Sequence, residues 1–393
     1  MLDLEEAQRR LLAEVRPLGT ERTVLDECVG RVLARDVVSR VNLPPFDHSA
    51  MDGYAIAFGA HKTLALVGES RAGGETPPSL QAGTAMRILT GAPLPMGADT
   101  VVMQEETTVE GNLLRLDGTP KKGDHVRHAG EDLAAGSLAL KKGTYLRTTH
   151  LPLLAALEVT RPWVTRRPVV TVLATGDELR EPGEPWRAGS IVETNAPTIA
   201  AMARAAGGSV RLLPIVGDTR EALREALENA LDGADVALTI GGVSVGDHDL
   251  VKPVLEEIGV SLDFWKVAVK PGKPLAVGHR GHTRVLGLPG NPVSAMVTFL
   301  LFAAPLLRAL AGNARVLPEL SRARLGRDVR HHPGRTEFVR ATLARDGGEI
   351  VVTPIASQAS GSVVSIAWAD ALIVLPKEST GASAGALVQV MLL

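Results

Sequence analysis

Hydrophobic and polar positions along the chain fall into three textures. Leu4, Leu11, Leu12 and Val15 share one helical face, with Glu5, Glu6, Arg9, Arg10 and Glu14 largely off it, which predicts an amphipathic opening helix ended before Pro17. Residues 21–43 form a second mixed segment closing at Leu43-Pro44-Pro45. From 46 to about 140, short apolar runs (Leu64–Val67, Met86–Leu89, Thr100–Met103, Leu113–Leu116) alternate with Gly73-Gly74, Pro77-Pro78 and Gly91-Ala92-Pro93, the pattern of a small all-β unit. Residues 148–159 read as helical, and 161–168, proline near each end, as a stiff connector.

Beyond the connector the period changes. Candidate strands Val169–Ala174, Val210–Val216, Val236–Ile240, Phe264–Val269, Leu275–Val277 and Val285–Leu288 are interleaved with candidate helices Pro197–Ala206, Arg220–Leu231, Leu250–Ile258 and Pro292–Ala311. Such alternation predicts a mostly parallel sheet covered on both faces. Asn195 and Asn291 stand where helix caps are expected, and Pro292 occupies the favoured first helical position. The tail from 319 returns to short strands and turns and reads as a second β unit.

Composition narrows the classes. At 393 residues, 45% hydrophobic and 22% charged, the chain can bury the cores of several domains. A net charge of −2 and 3% aromatics leave neither the basic footprint nor the stacking surface of a nucleic-acid binder. The single cysteine, Cys28, excludes an internal disulfide and a cysteine-cluster metal site, and fits a cytoplasmic protein. Residues 1–16 show no signal-peptide pattern, and Val293–Leu307, interrupted by Ser294, Thr298 and Pro305, reads as a buried helix, not a membrane span.

Candidate chemistry lies directly after the predicted strands, where open α/β sheets bind ligands. Thr175-Gly176-Asp177-Glu178, Gly217-Asp218, the loop from Gly241 to Asp249, Lys270-Pro271-Gly272-Lys273-Pro274 and Pro289-Gly290-Asn291-Pro292 would converge on one edge. In the third loop an apolar strand stops at Gly241-Gly242, and Ser244 and Gly246 continue a small-residue turn offering backbone amides to an anion. Neither standard nucleotide motif is present. Asp247 stands where a P-loop needs lysine, and Val243 where the dinucleotide fingerprint needs glycine. The loop is a phosphate cradle of another type, or none. Asp177, Glu178, Asp218, Asp247 and Asp249 are hard oxygen donors that suit Mg²⁺ or, alternatively, helix caps. Lys270 and Lys273 read as point-charge anion binders or as a solvated turn; Lys266, four residues earlier in one strand, would share a face with Lys270. Outside this region, residues 44–54 (Pro-Pro-Phe-Asp-His-Ser-Ala-Met-Asp-Gly-Tyr) and 87–93 (Arg-Ile-Leu-Thr-Gly-Ala-Pro) fit a functional motif or a tightly bonded turn equally well.

With these stretches, and Gly30-Arg31-Val32-Leu33-Ala34, the sequence resembles the molybdopterin molybdenumtransferase family, MoeA-type proteins and the C-terminal domain of gephyrin, through nearly its whole length. His48 departs from the family's common asparagine. The resemblance implies a mixed helical and linker domain (1–43 and 141–168), a β-rich domain (44–140), an α/β molybdopterin-binding domain (169–318) and a C-terminal β-barrel-like domain (319–393). It implies a transferase of molybdenum cofactor biosynthesis: adenylylated molybdopterin and molybdate react with Mg²⁺ present, releasing AMP. The site would be shared across a homodimer, with a molybdopterin adenylyltransferase and molybdoenzyme acceptors as partners. The family's functional positions fall on Asp52, Thr90, Glu178, Asp218, Asp249, Lys266, Lys270, Pro289 and Pro292. Glu178, Asp218 and Asp249 would hold the metal, Lys273 would neutralise oxyanion charge, and Gly241, Gly242, Ser244 and Gly246 would seat a phosphate or the pterin tail. The rival readings are a molybdopterin adenylyltransferase and a non-catalytic pterin carrier or scaffold.

Overall fold

The computed structural model describes residues 1–59, 61–242 and 250–393. Its centre is a six-stranded sheet in the order Ser209–Leu212, Val169–Ala174, Val236–Ile240, Thr283–Leu288, Pro274–Arg280, Ser261–Lys266. The first four are parallel; Pro274–Arg280 is antiparallel to both its neighbours. It turns into Thr283–Leu288 through a two-residue hairpin in which Gly281 takes φ +58°, a conformation that favours glycine. The sheet is therefore mostly parallel, with one reversed strand. Every residue of Val236–Ile240 is buried, as expected for a strand covered on both faces.

Helices Asn195–Ala205 and Pro292–Leu310 pack with one face of the sheet, and Arg220–Leu231 and Val251–Glu257 with the other. The Pro292–Leu310 helix is long and apolar enough to cross a membrane, but 78% of its apolar window is buried inside the protein. Between its two α-helical segments, residues Phe299–Ala303 widen into a π-turn just before Pro305. Proline carries no N–H for the carbonyl four residues earlier and its ring crowds that turn, so the helix loosens there. Gln8 of the opening helix Leu4–Leu12 donates its amide to that carbonyl, Leu301 O, at 2.8 Å. Leu4, Ala7 and Leu11 join the same core as Phe302, Leu306 and Leu307.

Two β units flank the sheet. One has the strand order Thr100–Met103, Gly53–Ile56, Thr84–Ile88, Thr63–Ser70, Leu113–Leu116, Thr107–Glu110. The other is a closed ring of five strands: Thr336–Asp346, Glu349–Pro354, Ser321–Leu325, Leu387–Leu392 and Ala371–Leu375, which pairs back with the first. Cys28, Leu33, Val37, Leu146, Leu154 and Val164 form a separate small core between residues 20–43 and 138–165.

Several local expectations change. The stretch 161–168 is not merely a connector, because Trp163–Thr165 pairs with Thr20–Arg22 and Arg22 and Arg35 lie over the Trp163 ring, their guanidinium carbons 5.7 and 4.1 Å from its centroid. Prolines 162 and 168 lie outside this three-residue strand, where a missing N–H breaks no ladder. The strand expected over 210–216 ends at Leu212, two residues before Pro214. The run 264–269 divides between two sheets: Ser261–Lys266 stays on the central sheet, while Val269–Lys270 pairs in parallel with Thr336–Glu337 of the barrel. Lys266 and Lys270 therefore do not share one strand face. Asn195 is the first residue of its helix and not its cap. Its side chain donates to Gly290 O at 2.7 Å, and the buried Glu193 accepts the Ala196 N–H instead. Asn291 holds the cap position without a side-chain capping bond, with Pro292 at the first helical turn as expected.

Candidate active site

Strands 169–174, 209–212, 236–240, 261–266 and 283–288 all run in one direction, so the loops after them leave from one edge. Backbone bonds stitch these loops together: Thr175 N to Ile240 O (3.0 Å), Gly176 N to Val216 O (3.0 Å) and Gly241 N to Leu288 O (3.2 Å). The floor is built by close backbone approach. Gly241 and Gly242 take φ +89° and +62°; a Cβ on Gly241 would stand 2.7 Å from Thr175 O, and one on Gly242 only 2.1 Å from Val251 Cγ2. Only glycine satisfies both the dihedral and the space. A Cβ on Gly290 would approach Gly241 Cα to 3.6 Å. Beneath the glycine pair the Thr175 hydroxyl is buried and has no hydrogen-bond partner among the described residues, as is true of Thr239.

Two acidic loops clasp each other at this edge. Asp177 Oδ1 accepts the Asp218 N–H at 3.0 Å, and Asp218 Oδ2 accepts the Asp177 N–H at a longer 3.4 Å. Asp177, Glu178 and Asp218 are all exposed. Arg187 braces the first loop by donating to Asp177 O and Leu179 O at 2.8 and 2.7 Å. Among the described residues, no three His, Cys, Asp or Glu side chains group closely enough to hold a metal unaided. Ser244, Gly246, Asp247 and Asp249 lie outside the described residues.

On the basic side, Lys266 and Lys273 are exposed. Lys270 is not free: its ammonium lies 2.8 Å from Glu337 Oε1 of the barrel. The other oxygen of Glu337 meets His331 Nδ1 at 2.8 Å. Pro289 is buried and Pro292 half-buried beside the site. At the N-terminus of that helix, Val293 N–H donates to Ser360 O of the barrel domain at 3.0 Å.

Asp52 and Thr90 form a second constellation, in the β-rich unit. Asp52 Oδ1 accepts both the backbone N–H (2.7 Å) and the hydroxyl (2.8 Å) of Thr90, chiefly the former holding its carboxyl below the usual range. Arg87 packs on Tyr54 and donates to Tyr54 OH (3.1 Å) and to Gln104 Oε1 (2.8 Å). Gly53 lies so close to the neighbouring strand that a Cβ would stand 2.0 Å from Val102 O. Among the described residues, no hydrogen bond or ion pair joins this constellation to the loops of the α/β edge.

The sequence singled out Glu178 and Asp218 but did not place Asp177 against Asp218, although the Thr-Gly-Asp-Glu run offered it. Glu337 and His331 carry no local motif. Only the register between Val269–Lys270 and Thr336–Glu337 exposes them.

A doubly covered, mostly parallel sheet with interlocked acidic loops, a glycine floor and a lysine at one edge defines an α/β protein built to bind an anionic ligand. Comparison with known proteins is specific. Residues 2–157 match the MoeA N-terminal region (domain I and II), residues 171–309 the "Probable molybdopterin binding domain", and residues 322–393 the MoeA C-terminal region (domain IV). A molybdopterin molybdenumtransferase of Haemophilus influenzae is 36% identical, covering 99% of this chain and 98% of its own. One from a Nostoc species is 37% identical over 92% and 86%. The crystal structure of a molybdopterin biosynthesis moeA protein from Pyrococcus horikoshii superposes with a TM-score of 0.82 at 30% identity, covering both chains completely. The chain belongs to the molybdopterin molybdenumtransferase family.

Proposed function

We propose that this chain inserts molybdenum from molybdate into adenylylated molybdopterin, releasing AMP, at the carboxyl edge of its central sheet. The observation that carries the reading is the clasp of Asp177 and Asp218 beside the Gly241-Gly242 floor. In each carboxylate one oxygen is taken by the partner's backbone amide, leaving the other for a hard cation. This donor set fits Mg²⁺, which commonly takes one or two carboxylates and completes its shell with water and substrate phosphate. Asp218 and Glu178, with Asp249, would hold it, and its charge would offset the pyrophosphate of the substrate. The chain's own groups do the rest. The Gly242 amide seats an anionic oxygen, Lys270 and Lys273 balance oxyanion charge, and Pro289 and Pro292 fix the wall.

Asp52 and Thr90 complete the site from a second copy of the chain. That no hydrogen bond or ion pair among the described residues joins them to the α/β edge within one chain supports a homodimer with a shared site. Molybdopterin adenylyltransferase as donor and molybdoenzymes as acceptors are the partners this reaction requires.

The test is AMP release from adenylylated molybdopterin with Mg²⁺ and molybdate. Asp218→Asn is expected to lower release by at least about 100-fold, the usual scale for losing an electrostatic group at a reacting centre. Parent-level release by that variant would overturn the site. Mixed Asp52→Ala and Asp218→Asn subunits are expected to recover part of the activity. No recovery after verified subunit exchange would overturn the sharing.

A further inference from the structure

The carboxyl edge of the sheet is not the only contributor to Lys270. Its segment, Val269–Lys270, is a strand of the barrel by pairing: Val269 lies opposite Thr336 and Lys270 opposite Glu337 in a parallel ladder. That register brings the Glu337 carboxylate to 2.8 Å from the Lys270 ammonium. The lysine side chain is 43% exposed whereas Glu337's is only 9% exposed. A carboxylate this buried needs partners for both oxygens. It has them in Lys270 on Oε1 and in His331 Nδ1 on Oε2, the histidine side chain being 1% exposed. His331 Nε2 is buried and has no partner among the described residues. Lys270 and Glu337 form the ion pair at the site edge, and the His331 ring backs the carboxylate from its other oxygen. Arg340, fully buried on the same strand, also lies within electrostatic reach of Glu337.

We propose that Glu337 is a positioning residue for the reaction, supplied by the C-terminal barrel, which holds the Lys270 ammonium in place at the edge of the site, and that His331 fixes Glu337 in turn. A lysine on a four-carbon stem is a flexible point charge. Anchored at a buried carboxylate, it no longer has to be ordered when the oxyanion arrives, and its remaining two N–H donors are available to substrate oxygens. This rests on the reading of the edge as an oxyanion site.

The experiment uses the full chain and a double-mutant cycle. Glu337→Gln, which keeps the shape but removes the charge and turns one acceptor oxygen into an NH₂ donor, is expected to lower kcat/KM for molybdate-dependent AMP release about tenfold in the parent, the scale of a partly exposed charge pair. In a Lys270→Met background it is expected to change nothing further. His331→Asn, whose amide nitrogen can stand where Nδ1 does, is expected to retain most of the activity that His331→Leu loses. Losses that multiply in the Lys270→Met background would make Glu337 a general structural residue and overturn the proposal. A second readout needs no turnover. Acylation of Lys270 by a small amine-directed reagent, followed by peptide mass spectrometry, is expected to be several-fold faster in Glu337→Gln, because a side chain no longer tethered to a buried carboxylate reaches the reagent more freely. Unchanged acylation overturns the proposal whatever the activity assay gives. Absence of AMP release in the parent would instead sink the assigned reaction, leaving the acylation result to decide this one.

Discussion

Gln8→Leu tests how the opening helix is fastened to the core. Gln8 is 8% exposed, and its side-chain amide donates to Leu301 O at 2.8 Å in a buried hydrogen bond. Pro305 cannot donate to that carbonyl, so the glutamine stands in for a missing helix donor. Leucine has nearly the same volume and preserves contact with the apolar neighbours, so the change isolates the hydrogen bond. Removing one partner of a buried bond costs about 1–3 kcal/mol, because the acceptor left behind is desolvated. For a domain of about 150 residues that corresponds to a drop in Tm of about 2–12 °C. Urea unfolding followed by far-UV circular dichroism measures the free energy. Hydrogen exchange should show the loss concentrated in residues 299–305, where the π-turn lies. A control separates this from generic damage. Pro305→Ala restores a backbone N–H, and in that background Gln8→Leu should cost less than half as much. A variant within about 0.3 kcal/mol of the parent, or equal losses in both backgrounds, would refute the assignment.

Three further outcomes are expected. Gly53→Ala places a Cβ 2.0 Å from the backbone oxygen of Val102; because that oxygen belongs to a paired strand, the variant should lose about 3 kcal/mol or more, read as a fall in soluble yield and Tm, and a parent-like melt would contradict the close approach. Thr90→Val removes the hydroxyl donor to Asp52 but leaves the backbone N–H, so carbon-detected NMR titration should find the Asp52 carboxyl higher than in the parent yet still below the usual range. Asp235 is pushed up by burial, but the two bonds from Arg166 and the Val169 amide outweigh this and leave its carboxyl lowered. A lowered folded value means stability that is present above about pH 4 and is lost as the pH falls below it. Asp235→Asn should therefore be less stable than the parent at neutral pH and converge with it in acid, as followed by urea midpoints across pH.

How much of this was legible in the sequence depends on the range of the interaction. Val236–Ile240 and Arg220–Leu231 announce themselves because a fully buried strand and an amphipathic helix each leave a local period. Gly241-Gly242 was legible because the chain's own dihedrals demand glycine there. The split of 261–270 was not: both halves are apolar enough for a strand, and only the barrel's offer of a partner at Thr336–Glu337 decides which sheet receives the second half. The same holds for the Asn195 side chain, which left its expected capping role for the carbonyl of Gly290 95 residues away. Glu337 escaped altogether, since nothing in Thr-Glu-Phe-Val-Arg marks it as the partner of a lysine on another domain.

The Asp177–Asp218 clasp bears on speed as well as affinity. Each loop's carboxylate is tied to the other loop's backbone by contacts internal to the chain, so neither loop has to search for its conformation during an encounter. The free-energy cost of ordering was met when the chain folded. Ligand capture at this edge should therefore track diffusion and electrostatic attraction, and show the steep salt dependence of a steered encounter in place of the salt-insensitive lag of a loop that must first close.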